Sequence, residues 1–288
     1  VIAKLLGHSF DSSLTQMLVE RNGQKNIPFG YVVSMGAKHK YRDPFELQLI
    51  QTLAMRLDSR LTNFHLLKLK LCRFIDARVA TQIAMEPDHF DQILKPRRQN
   101  IAMLYADIVG FSRLSEIHPG DLIAQITTEF LNDFQQTVFK RRGIYDKAVG
   151  DCGIAIFGFP VEQGAEIKAE EFTVQSVLSG LEVLESMKQL SEKYFDILQE
   201  TLTVSMGIAI GPTLVGLFGP EHAREFTAMG RFMNLAARVQ AAAAPGELLI
   251  TEDMLAVLQK GDALQTHGLT IGPEQRVTLK NIGERRVF

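Results

Sequence analysis

Two aspartates stand out because each lies at the end of an apolar segment, at a point where the chain is expected to turn. Asp107 closes the apolar run IAMLYADIV and is followed by Gly110, while Asp151 lies at the turn of KAVGDCGIAIF. A carboxylate at a strand end, followed by a glycine turn into a helix, places a hard oxygen ligand beside backbone N–H groups that can bind phosphate. If the strands are neighbours, both acids lie at one edge and could hold two divalent ions. Taken singly, each Asp is more often a turn residue or a helix cap.

A second polar pair lies on a predicted helix. Asn234 and Arg238 are four residues apart in GRFMNLAARVQAAAA, so they share one helix face, and the rest of the stretch is mostly small and apolar. An amide can orient a ribose and a guanidinium can neutralise a phosphoryl transition state. Either residue alone could equally be an ordinary surface side chain.

Composition limits the classes of protein to which the chain can belong. With 288 residues and 46% hydrophobic content, it can form one large domain, or one domain and a smaller element. A net charge of −2 gives no reason to expect a nucleic-acid partner.

The two cysteines, Cys72 and Cys152, lack disulfide or zinc spacing, which favours a reducing, cytoplasmic location. No run approaches the roughly 20 apolar residues of a membrane helix, so no membrane contact is expected. A chain that starts at Val1 is expected to be a fragment.

Strands and helices alternate after about residue 100. We predict a strand over IAMLYADIV, a helix over 114–140, two short strands that meet at Gly150-Asp151, and a helix over 166–194. LTVSMGIAIG and TLVGLFG are predicted as a strand pair, followed by a short helix from Gly230 and a strand in ELLIT. A sheet with flanking helices indicates an α+β or α/β sandwich.

The segment before residue 100 has a different pattern. YVVSMG is predicted as a strand, and Asp43-Pro44 with Glu46 is typical of a helix start. An apolar stripe with steps of three and four follows, and it indicates either a dimer seam or an amphipathic helix packed on its own domain. Its members are Ile50, Leu53, Leu57, Leu61, Phe64, Leu67, Leu71 and Phe74.

Three motifs in order resemble the catalytic domain of the class III nucleotidyl cyclases. They are ADIVGFS, KAVGD with FG after it, and EFTAMGRFMNLAARV followed by PGELLIT. The resemblance implies an α+β fold, a ferredoxin-like, antiparallel-rich sheet flanked by helices, with a helical N-terminal extension. It implies a catalytic domain over 100–288. Residues 1–43 resemble the remnant of a GAF sensor domain, and 44–99 would then form a signalling helix region.

The resemblance also implies a role for individual residues. Asp107 and Asp151 would bind two Mg²⁺ or Mn²⁺ ions per site, and the carbonyl of Ile108 would complete one metal shell. Lys280 would bind phosphate, although Asn281 stands where glycine is usual. The turn that would hold the triphosphate contains Gly110, Phe111 and Ser112.

Base recognition is implied for Lys147 and Thr227, and transition-state stabilisation for Asn234 and Arg238. Lysine can donate to the unprotonated ring nitrogen of adenine, and threonine can accept from its exocyclic amine. Guanine presents the opposite pattern at these edges. The residue types therefore favour adenine.

The implied reaction converts ATP to 3′,5′-cyclic AMP and pyrophosphate at a site shared between two protomers of a homodimer. One protomer would supply Asp107 and Asp151, and the other would supply the base-reading and transition-state residues. Two alternatives stay open: a catalytically silent nucleotide-binding module and a guanylyl cyclase.

Overall fold

The structure is a computed structural model. It describes residues 12–22, 25–36, 63–69, 71, 77–85, 94–159, 167–220, 222–260, 262–279 and 282–288. The chain divides into two compact units, Val1–Arg73 and Phe74–Phe288. Within the described ranges, none of the helices is both long enough and apolar enough to cross a bilayer. The domain boundaries drawn at residues 43 and 99 stay predictions.

The first unit contains an antiparallel hairpin of β1 (Ser12–Asn22) and β2 (Lys25–Gly36). The second strand includes the predicted YVVSMG segment, whereas the first was not predicted. Residues 63–69 are helical, in the region where the apolar stripe predicted a helix. The predicted helix start at Asp43-Pro44 and most of the stripe lie outside the described residues, so the dimer seam stays a prediction.

The second unit is built on a six-stranded sheet flanked by helices. Its strands follow the order β4-β5-β3-β6-β7, and a further strand, β8, pairs parallel to β6 while the other neighbours are antiparallel. These strands are β3 (Arg97–Ile108), β4 (Ile144–Val149), β5 (Cys152–Phe157), β6 (Val204–Phe218), β7 (Glu225–Met229) and β8 (Leu248–Ile250). A separate hairpin pairs β9 (Gln275–Leu279) with β10 (Gly283–Val287). The predicted α+β, antiparallel-rich fold is confirmed.

Seven helices accompany these strands in the described part of the second unit. They are α1 (Ala77–Met85), α2 (Phe111–Ile117), α3 (Gly120–Lys140), α4 (Ala169–Leu198), α5 (Arg231–Ala242), α6 (Glu252–Gln259) and α7 (Ala263–Thr266). The apolar faces of α3, α4 and α6 pack with one face of the sheet in a single large core. Side chains alternate along β3, so Leu104 and Ala106 point into this core. Tyr105 points to the opposite face, where its hydroxyl lies 3.8 Å from the sulfur of Met233 on α5.

Two glycines of β6 let α5 lie directly on that opposite face. A Cβ at Gly207 would stand 2.1 Å from the backbone nitrogen of Gln240, and one at Gly211 would stand 2.2 Å from the Phe232 ring. Gly207 pairs with Tyr105 and Gly211 pairs with Ile101, so both glycines lie on the same face of the sheet as Tyr105. The close approach of helix to sheet therefore depends on the absence of these side chains.

The structure corrects two predicted elements. The helix predicted over 114–140 is two helices, because Pro119 disfavours the helical conformation of the residue before it, and His118 is extended. The predicted strand pair LTVSMGIAIG and TLVGLFG is the single strand β6. Pro212 is tolerated there because β6 has neighbours on both sides at 206–208 and 214–215 but only β3 beside residue 212. The helix predicted over 166–194 runs from Ala169 to Leu198.

Candidate active site

The structure brings Asp107 and Asp151 to one edge of the sheet. Asp107 is the penultimate residue of β3, and Asp151 follows Gly150, which has a φ of 65°, in the turn between β4 and β5. Because β3 and β5 are neighbours, the Ile108 N–H donates a hydrogen bond to Oδ2 of Asp151 at 3.2 Å. The two acids therefore lie side by side, as the sequence predicted.

The electrostatics of this acid pair favour the arrival of a cation. Both residues are half-buried, and burial raises the pKa of Asp107. Burial and then the charge of Asp107 raise the pKa of Asp151 to about 6. Neither carboxylate forms an ion pair with another described residue. The pair thus carries negative charge that no neighbouring side chain in the described structure neutralises.

The donor set fits magnesium better than a soft metal. Burial and the two carboxylates raise the pKa of Cys152 to about 12, so its thiol is protonated at neutral pH in the metal-free protein. No group of three or more His, Cys, Asp or Glu side chains in the described ranges could hold a metal ion. Two carboxylates and the carbonyl of Ile108 nevertheless suit Mg²⁺, which keeps several waters and is often held by one or two carboxylates and substrate phosphates.

The turn after Asp107 leaves backbone open beside the acids. Gly110 caps α2 with a left-handed φ of 73°, and its carbonyl accepts the hydrogen bond of Leu114 N–H at 3.0 Å. A Cβ at Gly110 would meet no atom within 4 Å, so glycine is favoured there by its conformation and not by crowding. Gly110 and Ser112 are exposed and Phe111 is half-buried against the core. The predicted phosphate-binding turn is therefore accessible.

The predicted base-reading residues lie on strands β4 and β7. A bulge interrupts β4, because Tyr145 pairs with Ala155 and Lys147 pairs with Ile154, which leaves Asp146 as an extra residue. Consecutive strand residues normally point to opposite faces, and a bulge re-aims them. As a result, the side chains of both Asp146 and Lys147 reach β7.

These contacts join the two ends of the sheet. Lys147 Nζ forms an ion pair with Glu225, and the Thr227 hydroxyl donates to Oδ2 of Asp146 at 2.9 Å. Since β4 and β7 are the end strands in the order of the sheet, it must curl for them to meet. The curl brings Lys147 and Thr227 to one place, whereas sequence reasoning missed Asp146 and Glu225. An acid directly before Lys147 in YDKAVGD was the one available signal.

Asn234 and Arg238 lie on the exposed face of α5. The other face of this helix buries Phe232, Ala236 and Val239 against the sheet and its neighbours. Neither of the two polar residues forms a hydrogen bond or an ion pair with another described residue. Within one chain, no such contact joins them to the acid pair or to Lys147.

The structure does not place every predicted site residue. Lys280 and its neighbour Asn281 lie outside the described residues. The phosphate-binding role of Lys280 therefore stays a prediction.

Comparisons with known proteins show which family the chain resembles. The family model of the adenylate and guanylate cyclase catalytic domain matches residues 93–287. Guanylate cyclase 2G of Mus musculus is 21% identical over 223 residues, which cover 77% of this chain and 18% of the relative. The chain thus spans under a fifth of the length of this curated relative.

Solved structures of both nucleotide specificities share the fold. The adenylyl cyclase CyaB from P. aeruginosa has a TM-score of 0.60 and 27% identity, over 67% of this chain and 94% of that chain. The guanylyl cyclase Cya2 has a TM-score of 0.58 and 20% identity, over 67% and 91%. The matched region contains the acid pair, the turn after Asp107 and α5, and the chain belongs to the family of adenylate and guanylate cyclase catalytic domains.

Proposed function

We propose that the chain is an adenylyl cyclase that converts ATP to 3′,5′-cyclic AMP and pyrophosphate. The observation that carries this choice is the convergence of Lys147 and Thr227 where β4 meets β7. An ammonium group can only donate hydrogen bonds, so Lys147 suits the unprotonated ring nitrogen of adenine and opposes the N–H of guanine. Relatives of both specificities make guanylyl cyclase the second candidate.

The chain's own groups supply most of what the reaction needs. Asp107 and Asp151 would hold two divalent ions, which when bound polarise phosphate oxygens and favour an anionic attacking oxygen. Backbone N–H groups of the turn after Asp107 would bind the polyphosphate. Asn234 would orient the ribose and Arg238 would neutralise charge that develops at phosphorus. The bond from the ribose 3′-oxygen to the α-phosphorus forms, the α–β anhydride bond breaks, and the hydroxyl proton leaves to solvent.

We further propose that the site is shared between two copies of the chain. Asn234 and Arg238 are exposed and unpaired among the described residues, while the acid pair lacks a cationic partner there. A two-fold axis could place α5 of one copy opposite the acid pair of the other. This arrangement would bring Asn234 and Arg238 to the acid pair and would create two equivalent sites.

A product assay tests the proposal. The purified chain is incubated with ATP or GTP and Mg²⁺ or Mn²⁺ at several protein concentrations, and cyclic AMP and cyclic GMP are quantified. We expect cyclic AMP at a specific rate that rises with protein concentration and is abolished in Asp107→Ala. Cyclic GMP as the main product would support the second candidate, and no product despite ATP binding would leave a nucleotide-binding module.

A further inference from the structure

A threonine hydroxyl does not by itself distinguish adenine from guanine. It carries one hydrogen to donate and two lone pairs that accept, and the group rotates to suit its partner. The exocyclic group of adenine is a donor, whereas guanine has a carbonyl oxygen there. Thr227 would select adenine only if something fixed its hydrogen away from the nucleobase.

Asp146 is placed to fix that hydrogen. Oδ2 of Asp146 lies 2.9 Å from Oγ1 of Thr227, whereas the other acceptor within reach, the carbonyl of Ala228, lies at 3.4 Å. An ionised carboxylate has no hydrogen to donate, so in this pair the hydroxyl must be the donor. Hydrogen bonds to charged acceptors are also stronger than neutral ones. Thr227 is 7% exposed, which leaves little water to compete.

The Asp146 carboxyl is ionised at neutral pH. Burial raises the pKa of Asp146 to about 6, against the lowering effects of the Thr227 hydrogen bond and of Lys147. Glu225 opposes the charge, and Tyr105 is close enough for its own pKa to be raised by Asp146. At neutral pH the carboxylate form therefore dominates.

The remaining oxygen of Asp146 is unfavourable for folding. Oδ1 is buried and has no hydrogen-bond partner among the described residues. A buried charged oxygen without a partner destabilises the native state, and the bulge in β4 is what brings it there. A residue retained only for stability would not need this arrangement.

We infer that Asp146 is a specificity-determining positioning residue, which holds the Thr227 hydroxyl hydrogen so that Oγ1 can only accept from a nucleobase. The exocyclic amine of adenine then gains a hydrogen bond, and the carbonyl oxygen of guanine meets a lone pair. The inference rests on the proposed base-reading role of Thr227. Asp146 acts through Thr227 and does not itself touch the nucleotide.

The test compares ATP with GTP in a double-mutant cycle. The variants are Asp146→Asn, Thr227→Val and the double variant, with Asp196→Asn on the exposed end of α4 as the matched control. The preference for ATP is measured as the ratio of kcat/KM values and, separately, as the ratio of Kd values by calorimetry. A general folding defect weakens the binding and turnover of both nucleotides. The ratio for ATP over GTP therefore separates a loss of positioning from structural damage.

We expect Asp146→Asn to lower the preference for ATP by about tenfold, since an amide can accept from or donate to the hydroxyl. Thr227→Val should lower it by a similar factor, and the double variant should show no further loss. Thr227→Ser keeps the hydroxyl and should keep both the preference and its dependence on Asp146. The control should retain the wild-type ratio.

The outcomes separate the two proposals. An ATP preference that is unchanged in Asp146→Asn, or that falls additively in the double variant, overturns the inference and leaves the adenylyl cyclase proposal standing. Selective ATP binding without product overturns the enzyme proposal, while the Kd ratios still decide the role of Asp146. A wild-type preference for GTP overturns both.

Discussion

Gly207→Ala should lower both activity and stability, because Gly207 sets how closely α5 approaches the sheet. The new Cβ would stand 2.1 Å from the backbone nitrogen of Gln240, which cannot rotate away. To restore an ordinary contact of 3.4 Å, the end of α5 must move by about 1.3 Å. Overpacking of this kind costs about 1–3 kcal/mol of unfolding free energy.

The same movement displaces Asn234 and Arg238, which α5 carries. A misplacement of about 1 Å in a positioned catalytic group can lower a rate by about 100-fold. We therefore expect Gly207→Ala to fold, to lose about 1–3 kcal/mol in urea unfolding, and to form product about 100-fold more slowly. Gly120→Ala is the control, because its Cβ meets nothing within 4 Å, and both quantities should stay near wild type. Wild-type turnover in a folded Gly207→Ala protein would refute the role assigned to α5.

Three further predictions concern charges at the site. Because burial raises the pKa of Asp146 to about 6, wild type should lose about 3 kcal/mol of unfolding free energy relative to Asp146→Asn as pH rises from about 4 to 6, measured by urea unfolding. Equal pH profiles of the two proteins would contradict this. Glu225→Gln should release Lys147 from its ion pair and thereby lower the KM for ATP by up to about fivefold in initial-rate measurements. The unfolding free energy should change by less than about 1 kcal/mol. An unchanged or higher KM would contradict this role of Glu225. Mg²⁺ should raise the thermal midpoint of wild type and not that of Asp107→Asn in scanning fluorimetry, and equal shifts would mean that the ion binds elsewhere.

Local sequence patterns could predict the proximity of the two acids. The apolar run before Asp107 and the Gly150-Asp151 turn define strands whose ends had to meet if the strands were neighbours. The contact between Ile108 N–H and Asp151 shows that they are. The catalytic roles assigned to these residues stay predictions.

The meeting of β4 and β7 could not be read from the sequence. Period-two alternation places Asp146 and Lys147 on opposite faces, and no residue type marks the bulge that re-aims them. The curl that joins the end strands brings together residues that are far apart in the chain, such as Phe159 and Phe226, whose rings lie 5.5 Å apart. The two strands predicted on either side of Pro212 are one strand for a similar reason, since the tolerance of a proline depends on which neighbours β6 has at that point.

A complementation assay tests most directly whether the site forms between two copies and makes cyclic AMP. Asp107→Ala and Arg238→Ala remove groups that would come from different copies, so each variant alone should be inactive. When equal amounts exchange freely, half of the dimers are mixed and each mixed dimer keeps one intact site, so about a quarter of wild-type activity should return. Recovery of that activity, measured as cyclic AMP from ATP, is the result we predict. No recovery after demonstrated exchange, or full activity in Arg238→Ala alone, would contradict the shared site.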